Sequence, residues 1–431
     1  MIILSDTSLL IKEAKLFYQT LSIPFKKNYL FYNIIINLRI SNMANLLLAI
    51  IYLSFISLGL PDALLGSAWP SMYKEFNVPI SYAGIISMII SIGTIISSLQ
   101  SDRLTKKFGA GKITAFSTAI TAIALIGFSI THSYWLLCIW AIPYGLGAGS
   151  VDASLNNYVA LHYQSKHMSW LHCMWGVGAA AGPYIMGYAI TNNNWNIGYR
   201  YISIIQIVLT AILFFSLSLW NKNDEENKEK ISTKTLSVIE IIKIRGIKEI
   251  MICFFCYCAL EAAAGLWASS YLNLYKGIDI KTAASFGSLF YVGITIGRAI
   301  SGFITMKLND NQMIILGETL IFIGIILMII PAVNIVSLIG FIIIGLGCAP
   351  IYPSIIHSTP YNFGAENSQA IIGVQMASAY IGTSIMPPLF GYIANHISIA
   401  ILPFYLMLIL LLMFIMHKLM IRKTMKNYEK L

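Results

Sequence analysis

Five ionisable residues stand inside long apolar runs of this 431-residue chain, where a charge is costly to keep. They are four acids and one arginine: Asp62, Asp152, Glu261, Glu318 and Arg298. A carboxyl group removed from water holds its proton to a higher pH, so it can take up and release a proton near neutrality. Acids in such surroundings point to proton exchange inside a membrane, and each is a candidate functional group.

Depth within each apolar run separates these residues into two groups. Arg298 lies about eight residues before the end of its run, and Glu318 lies about six residues into the next, so at ~1.5 Å per residue their depths nearly coincide. We therefore predict a structural Arg298–Glu318 ion pair. Asp62, Asp152 and Glu261 have no cation in their own runs, which favours them as proton-coupling groups.

The elements that must position these residues are hydrophobic segments. The chain is 57% hydrophobic and 11% charged, whereas a soluble domain is about a quarter charged. Each apolar segment is long enough to cross ~30 Å of hydrocarbon as a helix, and longer than a barrel strand needs. We predict an all-α polytopic membrane protein with twelve transmembrane helices, over residues 44–66, 80–101, 112–131, 134–159, 169–190, 199–220, 248–273, 282–306, 312–331, 334–357, 368–394 and 399–417.

Lysine and arginine are distributed unevenly between the polar segments. With the N-terminus inside, 23 of the 28 basic residues fall in inside segments, against three in outside loops (Lys74, Lys276 and Lys281). Such an excess is typical of cytoplasmic segments, so the net charge of +10 reflects topology and not nucleic-acid binding. We expect a multi-pass protein of the cell membrane with both termini cytoplasmic.

The predicted domains follow from this topology. A cytoplasmic segment, 1–43, precedes an N-terminal six-helix bundle over 44–220. A cytoplasmic linker over 221–247 leads to a C-terminal six-helix bundle over 248–418, and a cytoplasmic tail covers 419–431. Residues 1–42 show no targeting pattern and Met43 directly precedes the first apolar run, so a translation start at Met43 stays an open alternative.

The two halves repeat at an offset of about 200 residues, the spacing expected of a six-helix repeat. The repeated pairs are Gly93 with Gly293, Gly145-Leu-Gly147 with Gly345-Leu-Gly347, and Pro183-x-x-x-Gly187-Tyr with Pro387-x-x-x-Gly391-Tyr. Small residues let helices approach closely in a membrane. Two pseudo-symmetric bundles with a solute site between them are a known transporter architecture.

These features resemble the major facilitator superfamily. The loop after the second segment, residues 98–109, is similar to that family's Gly-x-x-x-Asp-Arg-x-Gly-Arg-Arg/Lys loop, with Asp102 and Arg103 at the matching positions and Ser98 and Thr105 in place of the two glycines. The resemblance implies a conformational-gating role for Asp102 and Arg103. In the second half, Gly297-Arg298-Ala-Ile-Ser301-Gly302 resembles a Gly-Arg-x-x-Ser-Gly stretch of many members.

A narrower resemblance is to the fucose–proton symporter branch. The fourth segment carries Gly147-Ala-Gly-Ser-Val-Asp152-Ala-Ser-Leu-Asn156, similar to a glycine-rich stretch in which an acid precedes Asn by four positions. That acid is usually Glu, and Asp152 is shorter. Asp62 stands where the branch carries an acid in the first segment. The resemblance implies proton coupling and sugar binding for Asp62 and Asp152.

The leading interpretation is a secondary transporter that takes up a sugar or similar small polar solute with protons, by alternating access. Its partners would be the solute, protons and the bilayer, and we expect a monomer without cofactor or metal. Proton-driven efflux of drugs or metabolites, or a non-transporting membrane sensor, are the alternatives. No phosphate loop, His-Glu-x-x-His motif or nucleophile–base pair indicates an enzyme. Polar and aromatic residues expected in the solute cavity are Asn156, Asn157, Trp267 and Gln375.

Overall fold

The computed structural model describes residues 45–62, 64–79, 82–192, 194–220, 236–278, 280–330 and 334–428. Of the described residues, 45–49 belong to one unit and are helical, and those from residue 50 onward belong to a second, compact unit. The predicted segment 1–43 therefore lies outside the described residues. Everything below concerns the second unit, apart from the first residues of the first helix.

Twelve long helices make up the described chain, confirming the predicted all-α class and helix number. The first, α1, runs over 45–59 and resumes over Leu64–Glu75 after a turn at 60–62. The others are α2 Ala83–Phe108, α3 Ala110–Ser129, α4 Tyr134–His162, α5 Ser165–Asn192, α6 Trp195–Phe215, α7 Ile247–Leu274, α8 Ile280–Ile304, α9 Asp310–Ile329, α10 Asn334–His357, α11 Ser368–His396 and α12 Leu402–Tyr428.

Ten of these helices are long and apolar enough to cross a membrane within the described residues. The other two, α5 and α8, pack on each other across the boundary between the halves of the chain. Helices that face the bilayer carry apolar side chains outward, as Met88, Ile92 and Ile96 do at every fourth position of α2. The more polar character of α5 is consistent with a surface that meets protein.

Two segments differ from their predicted limits. A short helix, Val238–Lys243, lies within the predicted linker because Ser237 and Glu240 form a reciprocal capping box at its start. Helix α12 continues to Tyr428, past the predicted start of the tail at residue 419. The linker residues 221–235 lie outside the described part of the chain, and the domain limits at 220 and 248 stay predictions.

The repeat seen in the sequence appears as repeated helix packing. In the first half α2 packs on α4, α3 on α4 and α1 on α5; in the second α8 packs on α10, α9 on α10 and α7 on α11. A Cβ on Gly145 would lie 2.3 Å from the Ile90 carbonyl oxygen, and one on Gly345 would lie 2.3 Å from that of Phe290. In both halves, a glycine thus lets one helix pack directly against the backbone of its neighbour, as small residues do in membrane proteins.

We expect Gly178→Ala to destabilise the protein, because a Cβ there would lie 2.0 Å from the Ile56 carbonyl oxygen of α1. Rigid backbone must then move, at a cost of about 1–3 kcal/mol. The matched control is Gly187→Ala on the same helix, where nothing lies within 4 Å of an added Cβ. Thermal unfolding in detergent should show a lower midpoint for the first variant and an unchanged or higher one for the second. Equal midpoints would contradict the packing.

Within the described residues, the most extensive packing between the two halves is made by five pairs of long helices: α2 with α11, α5 with α8, α5 with α10, α4 with α11 and α4 with α10. The two strongest are related by the repeat, since α5 corresponds to α11 and α2 to α8. We call the end of the molecule that carries the turns at Gly109, Tyr163–Gln164 and Thr305–Asn309 the basic end, because Lys106, Lys107 and Lys307 lie there. The halves meet over the portions of these helices that lead to this end.

Candidate functional site

Asp62 occupies the turn that interrupts α1, and it is exposed. The turn forms beside Pro61, which has no backbone N–H to continue a helical ladder, and the Asp62 N–H donates to the Gly59 carbonyl at 3.2 Å. The Trp175 indole N–H of α5 donates to Asp62 Oδ2 at 2.8 Å, and the Tyr144 hydroxyl of α4 donates to Oδ1 at 3.4 Å. The carboxylate is therefore held by two aromatic donors while water still reaches it.

Asp152 lies on α4 and is buried. Asn156, one turn along the same helix, donates its amide to Asp152 Oδ1 at 2.8 Å. Tyr380 of α11 donates its hydroxyl to Oδ2 at 2.9 Å, and this hydrogen bond crosses from one half to the other. The side-chain oxygen Oδ1 of Asn156 lies 3.0 Å from His172 Nε2, which extends the network to α5. A change in the charge of Asp152 would therefore directly alter the Tyr380 hydrogen bond that joins the two halves.

Arg298 pairs with Glu261 and not with Glu318, so the predicted Arg298–Glu318 ion pair is wrong. Arg298 Nη2 of α8 lies 3.6 Å from Glu261 Oε1 of α7. Glu318 instead faces His417 of α12, with Nδ1 3.4 Å from Oε1. Equal depth was an insufficient argument because helices adjacent in sequence are not always packed together. Helix α9 packs on α10 and α12, whereas α8 packs on α10, α5 and α7.

Trp175 connects the exposed acid to the ion pair. Its N–H binds Asp62, and the Arg298 guanidinium carbon lies 5.3 Å from the centroid of its ring, within cation–π distance. Asp62 and Trp175 belong to the first half, and Arg298 and Glu261 to the second. The structure thus brings the three predicted proton-coupling acids into one central region, through aromatic partners to which the sequence assigned no role.

The four residues predicted to line a solute cavity all make hydrogen bonds to other segments of the described chain. Asn156 is fully buried in the Asp152 network, and Asn157 accepts a hydrogen bond from the Ser368 hydroxyl at 2.6 Å across the halves. Gln375 accepts one from the Thr359 hydroxyl at 3.1 Å. The Trp267 indole N–H donates to the Pro387 carbonyl at 3.0 Å within the second half. A role in solute contact stays a prediction for all four.

The predicted gating pair lies at the basic end of α2. Asp102 is buried and its Oδ2 accepts a hydrogen bond from Lys106 Nζ at 3.1 Å, one turn along the helix, while Arg103 is exposed. One turn earlier, α2 meets α11: a Cβ on Gly373 would lie 2.4 Å from the Ser98 carbonyl oxygen. The segment with the resemblance therefore adjoins a close contact between the halves.

A second connection at the basic end involves residues that the sequence did not single out. Ser165, at the start of α5, donates its hydroxyl to Asp310 Oδ1 at 2.6 Å. His357, at the end of α10, lies 2.7 Å from Asp310 Oδ2 through Nδ1 and 3.1 Å from the Tyr163 carbonyl through Nε2. No pattern within one half points to a partner in the other, so this cluster could not have been found from spacing.

The contacts between the halves share one property. On each helix they fall within about a dozen residues, or ~18 Å, of the basic end. Farther along α5, away from the basic end, Tyr184 and Tyr188 are exposed. The described residues therefore bring the halves together at the basic end, and Asp62 is exposed on the other side of these contacts.

A model of the Major Facilitator Superfamily matches residues 51–375, with a second match over 250–428. The chain belongs to the Major Facilitator Superfamily. Its family and fold are those of multi-pass membrane transporters. The resemblance drawn from the Asp102–Arg103 loop is thereby confirmed at the level of the superfamily.

Similar superfamily members include transporters of small solutes. The chain is 23% identical over 355 residues to the glucose/mannose transporter GlcP of Bacillus subtilis, covering 81% of this chain and 88% of that protein. It is 22% identical over 361 residues to the cis,cis-muconate transport protein of Acinetobacter baylyi, covering 78% and 84%. Coverage of most of both chains shows that the likeness extends through both bundles.

A solved superfamily structure shares the fold. FucP, the Escherichia coli fucose:proton symporter, in its outward conformation superposes with a TM-score of 0.69 at 15% identity, over 86% of this chain and 98% of that chain. At this identity the likeness concerns the architecture: twelve helices in two six-helix bundles. The predicted resemblance to that branch is confirmed for the fold.

Proposed function

We propose that this protein is a proton-coupled secondary transporter that takes up a sugar or similar small polar solute across the cell membrane. Asp152 carries the proposal. It is a buried carboxylate whose partner Tyr380 belongs to the opposite half, so its proton occupancy and the contact between the halves are linked. A carrier needs this linkage, because protonation must alter which side of the membrane the site faces.

The cycle follows from the arrangement of the acids. With the basic end taken as cytoplasmic, from its lysines and arginines, the described state faces outward. Protons and solute reach Asp62 from outside, where it is exposed. Protonation of Asp152 removes the negative charge that attracts the Tyr380 hydroxyl and weakens a charge-assisted hydrogen bond. The halves can then separate at the basic end and release the solute and the proton into the cytoplasm.

Transport of sugars by relatives supports the solute class. GlcP carries glucose and mannose by name, and FucP carries fucose with protons by name. Around Asp62, the indole of Trp175 and the hydroxyl of Tyr144 offer the combination of apolar ring and polar group that small-solute pockets use.

Uptake into proteoliposomes with and without an imposed proton gradient tests this function. We expect accumulation of the transported solute only when the outside is more acidic, and its collapse when a protonophore is added. Accumulation that ignores the gradient would refute proton coupling. Solute-driven alkalinisation of the outside medium, measured with a pH electrode, provides an independent check that protons move inward with the solute.

A further inference from the structure

Arg298 is a buried guanidinium with one N–H group that has no hydrogen-bond partner among the described residues. The residue is 3% exposed, and its Nε has no hydrogen-bond partner among the described residues. Its contact with Glu261 is 3.6 Å, which is longer than a hydrogen bond. Buried polar groups are nearly always partnered, so an arginine left in this state at the centre of the molecule requires an explanation.

The neighbours of Arg298 hold its side chain in place but leave Nε without a hydrogen-bond partner. The guanidinium carbon lies over the Trp175 ring, 5.3 Å from its centroid, and this cation–π contact restrains the group from the side of the first half. Glu261 balances its charge from α7 while remaining 20% exposed at its side chain. A purely structural pair would be expected to close to hydrogen-bonding distance and to exclude water from both partners.

We propose that Arg298 binds a carboxylate group of the transported solute, with Glu261 as the counter-ion that the solute displaces. The proposal rests on the proposed transport function and narrows its solute class to sugar acids or other small organic acids. A guanidinium presents parallel N–H groups that fit the two oxygens of a carboxylate, and the unpartnered Nε is one such donor. Arg298 thereby becomes a specificity-determining residue.

The surrounding charges explain why such a solute would travel with protons. Trp175 joins Arg298 to Asp62, so an acid bound to the guanidinium lies near the Asp62 carboxylate. Like charges placed together disfavour each other, and a proton on the carboxyl group removes the repulsion. Binding of the anionic solute and of a proton then favour each other, as co-transport of the two requires.

Binding to the purified full-length protein in nanodiscs, with no gradient present, tests the proposal. The probes are matched neutral and acidic pairs: D-glucose with D-glucuronate, D-xylose with D-xylonate, and 1,4-butanediol with succinate. We expect at least one acidic member to raise the thermal unfolding midpoint more than its neutral partner. If every acidic member fails to do so, the proposal is overturned, whatever the neutral members do.

Variants then assign the effect to Arg298. Arg298→Gln should weaken binding of the acid about 10- to 100-fold. Arg298→Lys keeps the positive charge but not the two parallel N–H donors, so it should retain part of the affinity that Arg298→Gln loses. Glu261→Gln should tighten binding because the competing counter-ion is gone. A structural pair predicts the opposite sign for Glu261→Gln, so weaker binding there would overturn the proposal.

A folding defect is separated from a binding defect by a double variant. Arg298→Gln together with Glu261→Gln removes both charges of the pair and leaves neither without its counter-ion, so it should keep the wild-type unfolding midpoint and still lose preference for the acid. Retention of that preference would overturn the proposal. Failure of the proposed transport function would be recognised separately. Uptake would then not depend on the proton gradient, while binding of the acid could still depend on Arg298.

Discussion

Replacing Asp152 with Asn is expected to bring solute accumulation down to an equilibrium ratio of about one, because no coupling free energy then links the proton gradient to the solute. The amide keeps the size of the side chain and one acceptor oxygen, but it cannot take up a proton. The Tyr380 hydroxyl now faces either a neutral oxygen or an N–H group, so the contact between the halves no longer depends on pH.

Exchange of labelled for unlabelled solute should survive in the same variant, since exchange requires no net proton transfer. Both rates are measured in proteoliposomes, the first with an acidic outside and the second without a gradient. Glu318→Gln is the matched control: it makes the same change at a buried acid that faces His417 of α12. Gradient-driven accumulation by the Asp152 variant at the wild-type level would refute the proposed coupling.

Replacing Gly373 with Trp is expected to reduce the rate of transport about 100-fold or more, while each six-helix bundle stays folded. A Cβ at this position of α11 would lie 2.4 Å from the Ser98 carbonyl oxygen of α2 and 2.8 Å from the Ser101 hydroxyl. Overpacking at a rigid contact costs about 3 kcal/mol or more, enough to exclude the closed arrangement at the basic end. Because the clash is between the halves, separation of the halves relieves it.

A native thiol reports the resulting state. Cys173 of α5 is 8% exposed, and its Sγ lies 3.8 Å from the Thr295 carbonyl oxygen of α8, at the boundary between the halves. A water-soluble maleimide should label Cys173 faster in Gly373→Trp than in the unmodified protein, and Cys173→Ser should remove the signal. Gly187→Trp, in open space in the described state, should leave the labelling of Cys173 unchanged. Protection of Cys173 in Gly373→Trp would contradict the expected opening.

Hydrophobic length and the internal repeat were sufficient to predict the helices and the correspondence between the two halves. Helix α4 spans Tyr134–His162 against a predicted 134–159, and the Gly145/Gly345 correspondence reappears as equivalent backbone contacts. Apolar length determines where a helix crosses a membrane, and glycine marks where two backbones touch. Both signals are local or repeat at a constant offset, so they can be read from one chain.

The partners of the buried charges were less accessible to such reasoning. Asp62, Asp152 and Glu261 could be singled out because a charge in an apolar run is unusual. Which group faces each one depends on the rotation of every helix about its axis, and depth does not report that rotation. Arg298 was therefore assigned to Glu318, and neither Trp175 nor Tyr380 was recognised as the donor to an acid.

Backbone-to-backbone packing at Gly145 and Gly345 limits how the molecule can deform. Main-chain atoms cannot change rotamer. The helix pairs that meet at these two glycines therefore keep their contact as rigid units and do not adjust it gradually. Flexibility is thus concentrated at the boundary where the two six-helix bodies meet. Mutations that retune cargo preference during evolution should accumulate among side chains on that boundary, leaving the interior of each body nearly unchanged.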